Sequence, residues 1–169
     1  MLALFWGFYA LAAAQPRAPN VRYEPSPDAV VEAMTDLAAV QANDVVYDLG
    51  CGDGRVVIAA ARLGARAVCI DIDPLRITEA QENARRAGVA GRIEFRTQDL
   101  FHADLRDATV VMLFLSADFN LALRRRLREL PAGTRVVSHW HGMGDWKPQK
   151  SVSIRSGWRE HPVYLWVIE

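Results

Sequence analysis

The chain has 169 residues, of which 51% are hydrophobic and 24% charged. That is the size and usage of one globular domain, and it excludes a disordered or fibrous protein. Twenty Lys plus Arg balance twenty Asp plus Glu, so no global field draws in nucleic acid or an anionic membrane, and neither nucleic acid nor metal is expected as a partner. The two cysteines, Cys51 and Cys69, have no CxxC partner and no paired histidines. They exclude zinc ribbons and disulfide scaffolds and read as small packing residues.

Residues 1–14 are apolar, and the first charge is Arg17. The stretch is shorter than the roughly 20 residues needed to cross a bilayer, and Ala12-Ala13-Ala14 resembles a signal-peptidase site without the basic region that precedes one. A cleaved export signal, a short membrane anchor and an apolar helix end packed on the domain all fit. Residues 15–27 carry Pro16, Pro19, Pro25 and Pro27 and read as a linker, leaving residues 28–169 as the folded domain. From Ser26 the spacing of Val30, Val31, Met34, Leu37 and Ala38 predicts a lead-in helix. Next come a strand over Val45–Leu49, a glycine turn and a helix over Arg55–Leu63, then a strand over Ala67–Ile70 and a helix over Pro74–Ala87. Ile93–Phe95 and Thr109–Leu115 read as strands, Asp118–Leu130 as a helix and Thr134–Ser138 as a strand. The alternation predicts an α/β fold with a doubly wound, mostly parallel sheet. Two β-rich pieces, Ser151–Arg155 and Pro162–Ile168, flank Gly157 and predict a closing antiparallel hairpin.

In such a sheet ligands bind at the carboxyl ends of the strands. The turn Asp48-Leu49-Gly50-Cys51-Gly52-Asp53-Gly54-Arg55 lies there. Its glycines let a ligand approach the backbone and permit positive φ. The spacing GxGxG is neither the dinucleotide fingerprint nor the triphosphate loop, and Asp48 and Asp53 suit an ammonium better than a pyrophosphate. Asp71, at the end of the second strand, is positioned to take both hydroxyls of a ribose. Asp99, after the third, is positioned to accept from the amine of a base, with Ile72 or Leu100 on the ring. An amino-acid end, a ribose and an adenine are the parts of S-adenosylmethionine. For any one acid the plainer role is a helix cap or surface charge; three at successive strand ends beside the glycine turn favour the ligand.

The segments VVYDLGCGDGR, CIDIDP and TQDLF resemble, in order and spacing, the first three motifs of the class I S-adenosylmethionine-dependent methyltransferases. Tyr23-Glu24-Pro25-Ser26-Pro27, DLGCGDGRVVIAAA and TRVVSHWHGMGDWKP are similar to the small bacterial and mitochondrial lysine methyltransferases that modify the adenine nucleotide translocase and the ATP synthase c subunit. The resemblance implies a Rossmann-like sheet with an antiparallel C-terminal strand and S-adenosylmethionine as cofactor. It also implies a cofactor set of Tyr23, Ser26, Asp48, Gly50, Cys51, Gly52, Asp53, Gly54, Asp71, Ile72, Asp99, Leu100 and Leu115, and a protein lysine as acceptor, a membrane-embedded protein included.

Methyl transfer needs mainly alignment and exclusion of water, and an apolar channel favours the neutral lysine amine. The acceptor is expected at Phe114-Leu115-Ser116, with Phe114 and Trp146 lining its channel and His139 or Asp145 accepting or relaying the proton. The plainer reading makes Trp146 a packing corner and His139 a satisfied strand-end histidine. Arg124, Arg125, Arg126 and Arg128 read as a solvated helix face rather than an RNA-binding patch. A small-molecule N- or O-methyltransferase and a non-catalytic cofactor-binding module are the alternatives. The methyl donor is cytosolic, so the expected location is the cytoplasm or the cytoplasmic side of a membrane, with export as the alternative.

Overall fold

The computed structural model describes residues 24–169. The apolar segment, most of the proline-rich linker and Tyr23 lie outside the described residues. Helix α1 (Asp28–Leu37) leads into β1 (Val45–Leu49), α2 (Arg55–Arg62), β2 (Arg66–Asp71), α3 (Pro74–Arg86) and β3 (Ile93–Thr97). Strand β4 (Val110–Leu113), α4 (Ala117–Arg128), β5 (Arg135–His139), β6 (Lys150–Ser156) and β7 (Arg159–Val167) follow. Two short 3-10 turns, Ala90–Arg92 and Leu100–His102, stand where the sequence shows no periodicity.

The strands form one seven-stranded sheet in the order β3-β2-β1-β4-β5-β7-β6. Strands β1 to β5 pair in parallel, β7 is antiparallel to β5, and β6 pairs antiparallel with β7. This is the expected Rossmann-like sheet with its antiparallel C-terminal hairpin. Strand order reverses between β1 and β4, so the crevice above their carboxyl ends is the topological switch point at which such sheets bind ligands.

The period of two along each strand sorts side chains to two cores. Val46, Ala67 and Cys69 face α1, α2 and α3, joined by Met34, Val57 and Ala80. Tyr47, Leu49, Val68 and Ile70 face the other side with Leu123 and Leu127 of α4. Strand β4 is buried along its whole length, as a central parallel strand covered on both faces must be. It ends at Leu113, two residues earlier than expected, which frees Phe114 and Leu115 to turn into the crevice.

Two features correct or sharpen the sequence reading. Cys51 and Cys69 are not separate packing residues: they form a disulfide with Cα atoms 5.3 Å apart. Spacing hides the pair, because β1 and β2 are brought together by a helical crossover; Asp48 then sits opposite Cys69, and the turn carries Cys51 back over it. Gly54 has φ of +81°, and a Cβ there would stand 2.8 Å from the Ala80 Cβ of α3. This glycine is needed for helix–helix approach rather than for a ligand.

Reduction of the Cys51–Cys69 bridge is expected to cost about 3 kcal/mol, the chain-entropy value for a loop of this size. A thermal melt should show Tm falling by roughly 6–12 °C on adding reductant. Gly54→Ala should lose about 2 kcal/mol or more, because a left-handed backbone and an overpacked contact add. Denaturant titration measures that loss.

Candidate active site

The crevice above β1, β2 and β4 is a cavity of about 390 Å³, within the range of small-molecule sites. Its floor is the turn after β1, where Gly50, Gly52 and Gly54 all have positive φ. The Gly50 and Cys51 amides donate to the Ile70 carbonyl at 2.8 and 3.0 Å, and the Gly54 amide donates to the Cys51 carbonyl at 2.9 Å. A Cβ on Gly50 would stand 3.0 Å from Leu115, so only glycine lets the turn pass under the cavity.

Asp71 accepts from the Gly52 and Asp73 amides at 3.0 and 2.9 Å, one on each oxygen. Those two bonds fix the carboxylate at the cavity wall, with lone pairs left for a diol. Asp53 is held by Arg55, which donates from Nε at 3.0 Å and from Nη2 at 2.6 Å. Arg55 Nη1 also donates to the Ser26 carbonyl at 2.7 Å. Asp53 therefore meets a ligand as half of an ion pair rather than as a bare acid. Asp99 caps the 3-10 turn, accepting from the Phe101 amide at 2.9 Å, and still lines the cavity with Ile72 and Leu100.

Asp48 differs from the others. Its side chain is buried, and among the described residues nothing donates a hydrogen bond to it. Burial, and after it the charges of Asp71 and Asp53, push its carboxyl up to about 8. A buried acid in that position favours a cationic ligand, which lowers the cost of its ionisation.

Ser26, Asp48, Gly50, Cys51, Gly52, Asp53, Asp71, Ile72, Asp99, Leu100 and Leu115 all line this one cavity, and so does Phe114; Gly54 does not. Of the five residues at and after the end of β5 expected to rim this edge, His139, Trp140, His141, Asp145 and Trp146, His141 lines the cavity and the other four do not. His139 is fully buried behind the wall, its ring 4.0 Å from that of Phe114. Trp140 follows in a left-handed conformation, φ 73°, and its amide donates to the Pro162 carbonyl at 2.8 Å. The loop then runs down the α4 side of the sheet. Asp145 ends in an exposed ion pair with Arg124. Trp146 packs 5.6 Å from Trp166 and under Arg128. Trp166 pairs with Val136 near the amino end of β5, so Trp146 lies away from the acceptor edge and is a packing corner. The channel assignment is corrected accordingly: Phe114 faces the cavity and Trp146 does not.

Residues given no site role by the sequence complete the wall: Met34 of α1, Phe101 and Phe119 of α4. They are hydrophobic residues on predicted or unpredicted turns of helix, with nothing in their spacing to separate a cavity wall from a core. Arg55, the last residue of the GCGDGR run, was legible as a conspicuous charge beside the glycines.

The family model for the ANTKMT methyltransferase domain matches residues 48–150. A protein-lysine N-methyltransferase of Saccharolobus islandicus is 42% identical over 153 residues, covering 89% of this chain and 95% of that protein. The adenine nucleotide translocase lysine N-methyltransferase of Mus musculus is 38% identical over 105 residues, covering 61% of this chain and 46% of its own length. Among solved structures, an RNA methyltransferase from Salinibacter ruber in complex with S-adenosyl-L-homocysteine superposes with a TM-score of 0.82. It is 50% identical, and the match covers 86% of this chain and 94% of that one.

The residues present fit S-adenosylmethionine: a buried acid with no hydrogen-bond donor among the described residues, a glycine floor that a side chain would fill, and a fixed carboxylate at the second strand end. When bound, the cofactor supplies an electrophilic methyl group on a sulfonium. The chain's own residues hold it and keep water from the methyl. The unfolded carboxyl at position 48 ionises near its ordinary value of 3.8, and the folded one at about 8. Across that window the folded protein holds the extra proton, so stability of the free protein falls as pH rises. Asp48→Asn should abolish this slope and raise Tm relative to the natural protein at roughly pH 8. It should also weaken cofactor binding about tenfold or more and remove the proton release that calorimetry in buffers of different ionisation enthalpy would detect on binding. By the family match, the chain belongs to the ANTKMT methyltransferase family and depends on S-adenosylmethionine.

Proposed function

We propose that this enzyme transfers the methyl group to the side-chain amine of a lysine in a protein. The observation that carries the reading is the apolar lining that the cavity has beside the acids assigned to the cofactor: Met34, Phe114, Leu115 and Phe119. An apolar, aromatic mouth accommodates a lysine stem and lowers the pKa of its amine toward the neutral nucleophile.

The arginines of α4 offer little to RNA. Arg124 pairs with Asp145, and Arg125 with Glu129 at 3.1 Å. Arg126 donates to the Phe101 carbonyl at 2.6 Å and also binds that of Ala103, and Arg128 lies over the Trp146 ring. Each is already engaged, so counterion release on a phosphate backbone would have to compete with these contacts. The Saccharolobus relative is described by its lysine activity and the Salinibacter structure by an RNA activity; the apolar, aromatic lining and the engaged arginines weigh for the first.

A membrane-embedded acceptor and a location on the cytoplasmic side of a membrane belong to the same proposal; the mouse relative is described as acting on a lysine of an adenine nucleotide translocase. No helix among the described residues is long and apolar enough to cross a membrane. Cytosolic thiols keep most cysteine pairs reduced, so recovery of the protein with Cys51–Cys69 fully oxidised from cells would argue for export instead.

The test is incubation of the protein with methyl-labelled S-adenosylmethionine and separate soluble and membrane lysate fractions. Label is expected in nuclease-resistant, protease-sensitive material and in methyl-lysine after hydrolysis. Phe114→Ala should lower the rate about tenfold while cofactor affinity stays within about twofold. Label released by nuclease would overturn the lysine reading in favour of RNA.

A further inference from the structure

Behind the cavity wall runs a chain of hydrogen bonds that the cofactor does not account for. Ser26 Oγ lies 2.8 Å from His139 Nδ1, and His139 Nε2 lies 2.9 Å from His161 Nδ1. The three residues come from the segment before α1, the end of β5 and the start of β7. All three are buried, and only Ser26 reaches the cavity. Its hydroxyl makes no cap to α1, and its carbonyl is fixed from the other side by Arg55.

The direction of this chain follows from proton counting. Burial, then the neighbouring His161 and His141, push His139 down to about 4, so it is neutral and carries one N–H. The other titratable groups near the pair are His141, which lines the cavity, and Glu160, which precedes His161 and is occupied by Arg155 at 2.9 Å. A single proton fits between His139 Nε2 and His161 Nδ1. With that proton on His139, both rings are Nε2–H tautomers, the form neutral imidazole prefers intrinsically, and Nδ1 of His139 is left to accept from Ser26. The reverse chain would put both rings in the less favoured form. Ser26 then spends its only proton on His139, and its oxygen offers the cavity an acceptor.

We propose that Ser26 is a catalytic residue that accepts an N–H from the substrate amine, and that His139 and His161 are positioning residues that keep its hydroxyl an acceptor. This rests on the amine reading above. An N–H held on Ser26 fixes the rotation of the amine about its terminal carbon, and so aims the nitrogen lone pair from the Phe114 side of the cavity toward the methyl. Without the outward-directed chain the same hydroxyl would donate to that lone pair and block attack.

Side-chain nitrogen–proton correlation spectra of the full chain labelled with 15N-histidine should show His139 and His161 both as Nε2–H tautomers. An Nδ1–H signal from His139 overturns the proposal, whatever the acceptor is. In the methyl-transfer assay on nuclease-treated lysate protein at saturating cofactor, Ser26→Ala should lower the rate at least tenfold. His161→Leu removes the acceptor for His139 and should lower the rate comparably, whereas His161→Asn keeps an acceptor oxygen and should recover most of it. An undiminished rate in Ser26→Ala, or equal losses in the two His161 variants, overturns the proposal. Should the natural protein label only nuclease-sensitive material, the amine reading falls first and this role of Ser26 with it. Should it label lysine while Ser26→Ala is unaffected, the role of Ser26 alone falls.

Discussion

The chain has to leave a parallel strand at the buried Leu49 and enter α2 at Arg55 within five residues, and most of the site depends on how it does so. Three left-handed glycines make the reversal, and the amides of Gly50 and Cys51 are tied to β2 through the Ile70 carbonyl. The turn can therefore neither rise into the cavity nor carry side chains at Gly50 and Gly54, because Leu115 and Ala80 occupy the space. The Cys51–Cys69 bridge fastens the same turn to β2 covalently. Three of the acids that face the cavity are placed relative to this turn: Asp48 two residues before Gly50, Asp53 within it, and Asp71 bonded to the Gly52 amide.

Rigidity there has an electrostatic counterpart. Asp48 is buried beside two other carboxylates, which is unfavourable in the free protein and favourable once a cation shares the cavity. Asp53 escapes the same conflict by pairing with Arg55, and Arg55 passes the constraint on by holding the Ser26 carbonyl. The cofactor loop and the segment before α1 are thus joined by one guanidinium. Displacement of the loop would be felt at Ser26.

On the far side of the crevice, Asn120 does the equivalent work for the loop after β5. Fully buried, it donates to Ser138 Oγ at 3.0 Å and to the His141 carbonyl at 2.9 Å. This anchors the start of α4 to the exit of β5, so that His141 stays at the cavity while the left-handed Trp140 turns the following residues toward α4. A polar residue at the core end of a helix survives because its donors are satisfied by groups that themselves need acceptors and donors.

By itself the sequence determined the sheet, its two faces and the cofactor edge. Strand and helix periods are local, glycines mark the only conformations a tight turn allows, and acids at strand ends fall on one edge once the connections are right-handed crossovers. The bounds of α2, α3 and β1 were legible to within a residue or two for that reason. Tertiary structure alone decided the rest. Cys51 and Cys69 are 18 residues apart in sequence and meet only because β2 pairs with β1. Ser26, His139 and His161 have no spacing that joins them, since three separate elements bring them together. Trp146 looked close to the acceptor edge because it follows His139 by seven positions. One left-handed residue and the pull of Trp166, a buried ring with an indole N–H donated to the Trp146 carbonyl at 2.9 Å, carried it to the other end of the strand. Sequence proximity predicts position only while the backbone stays regular; where it turns, packing and hydrogen-bond satisfaction choose the direction.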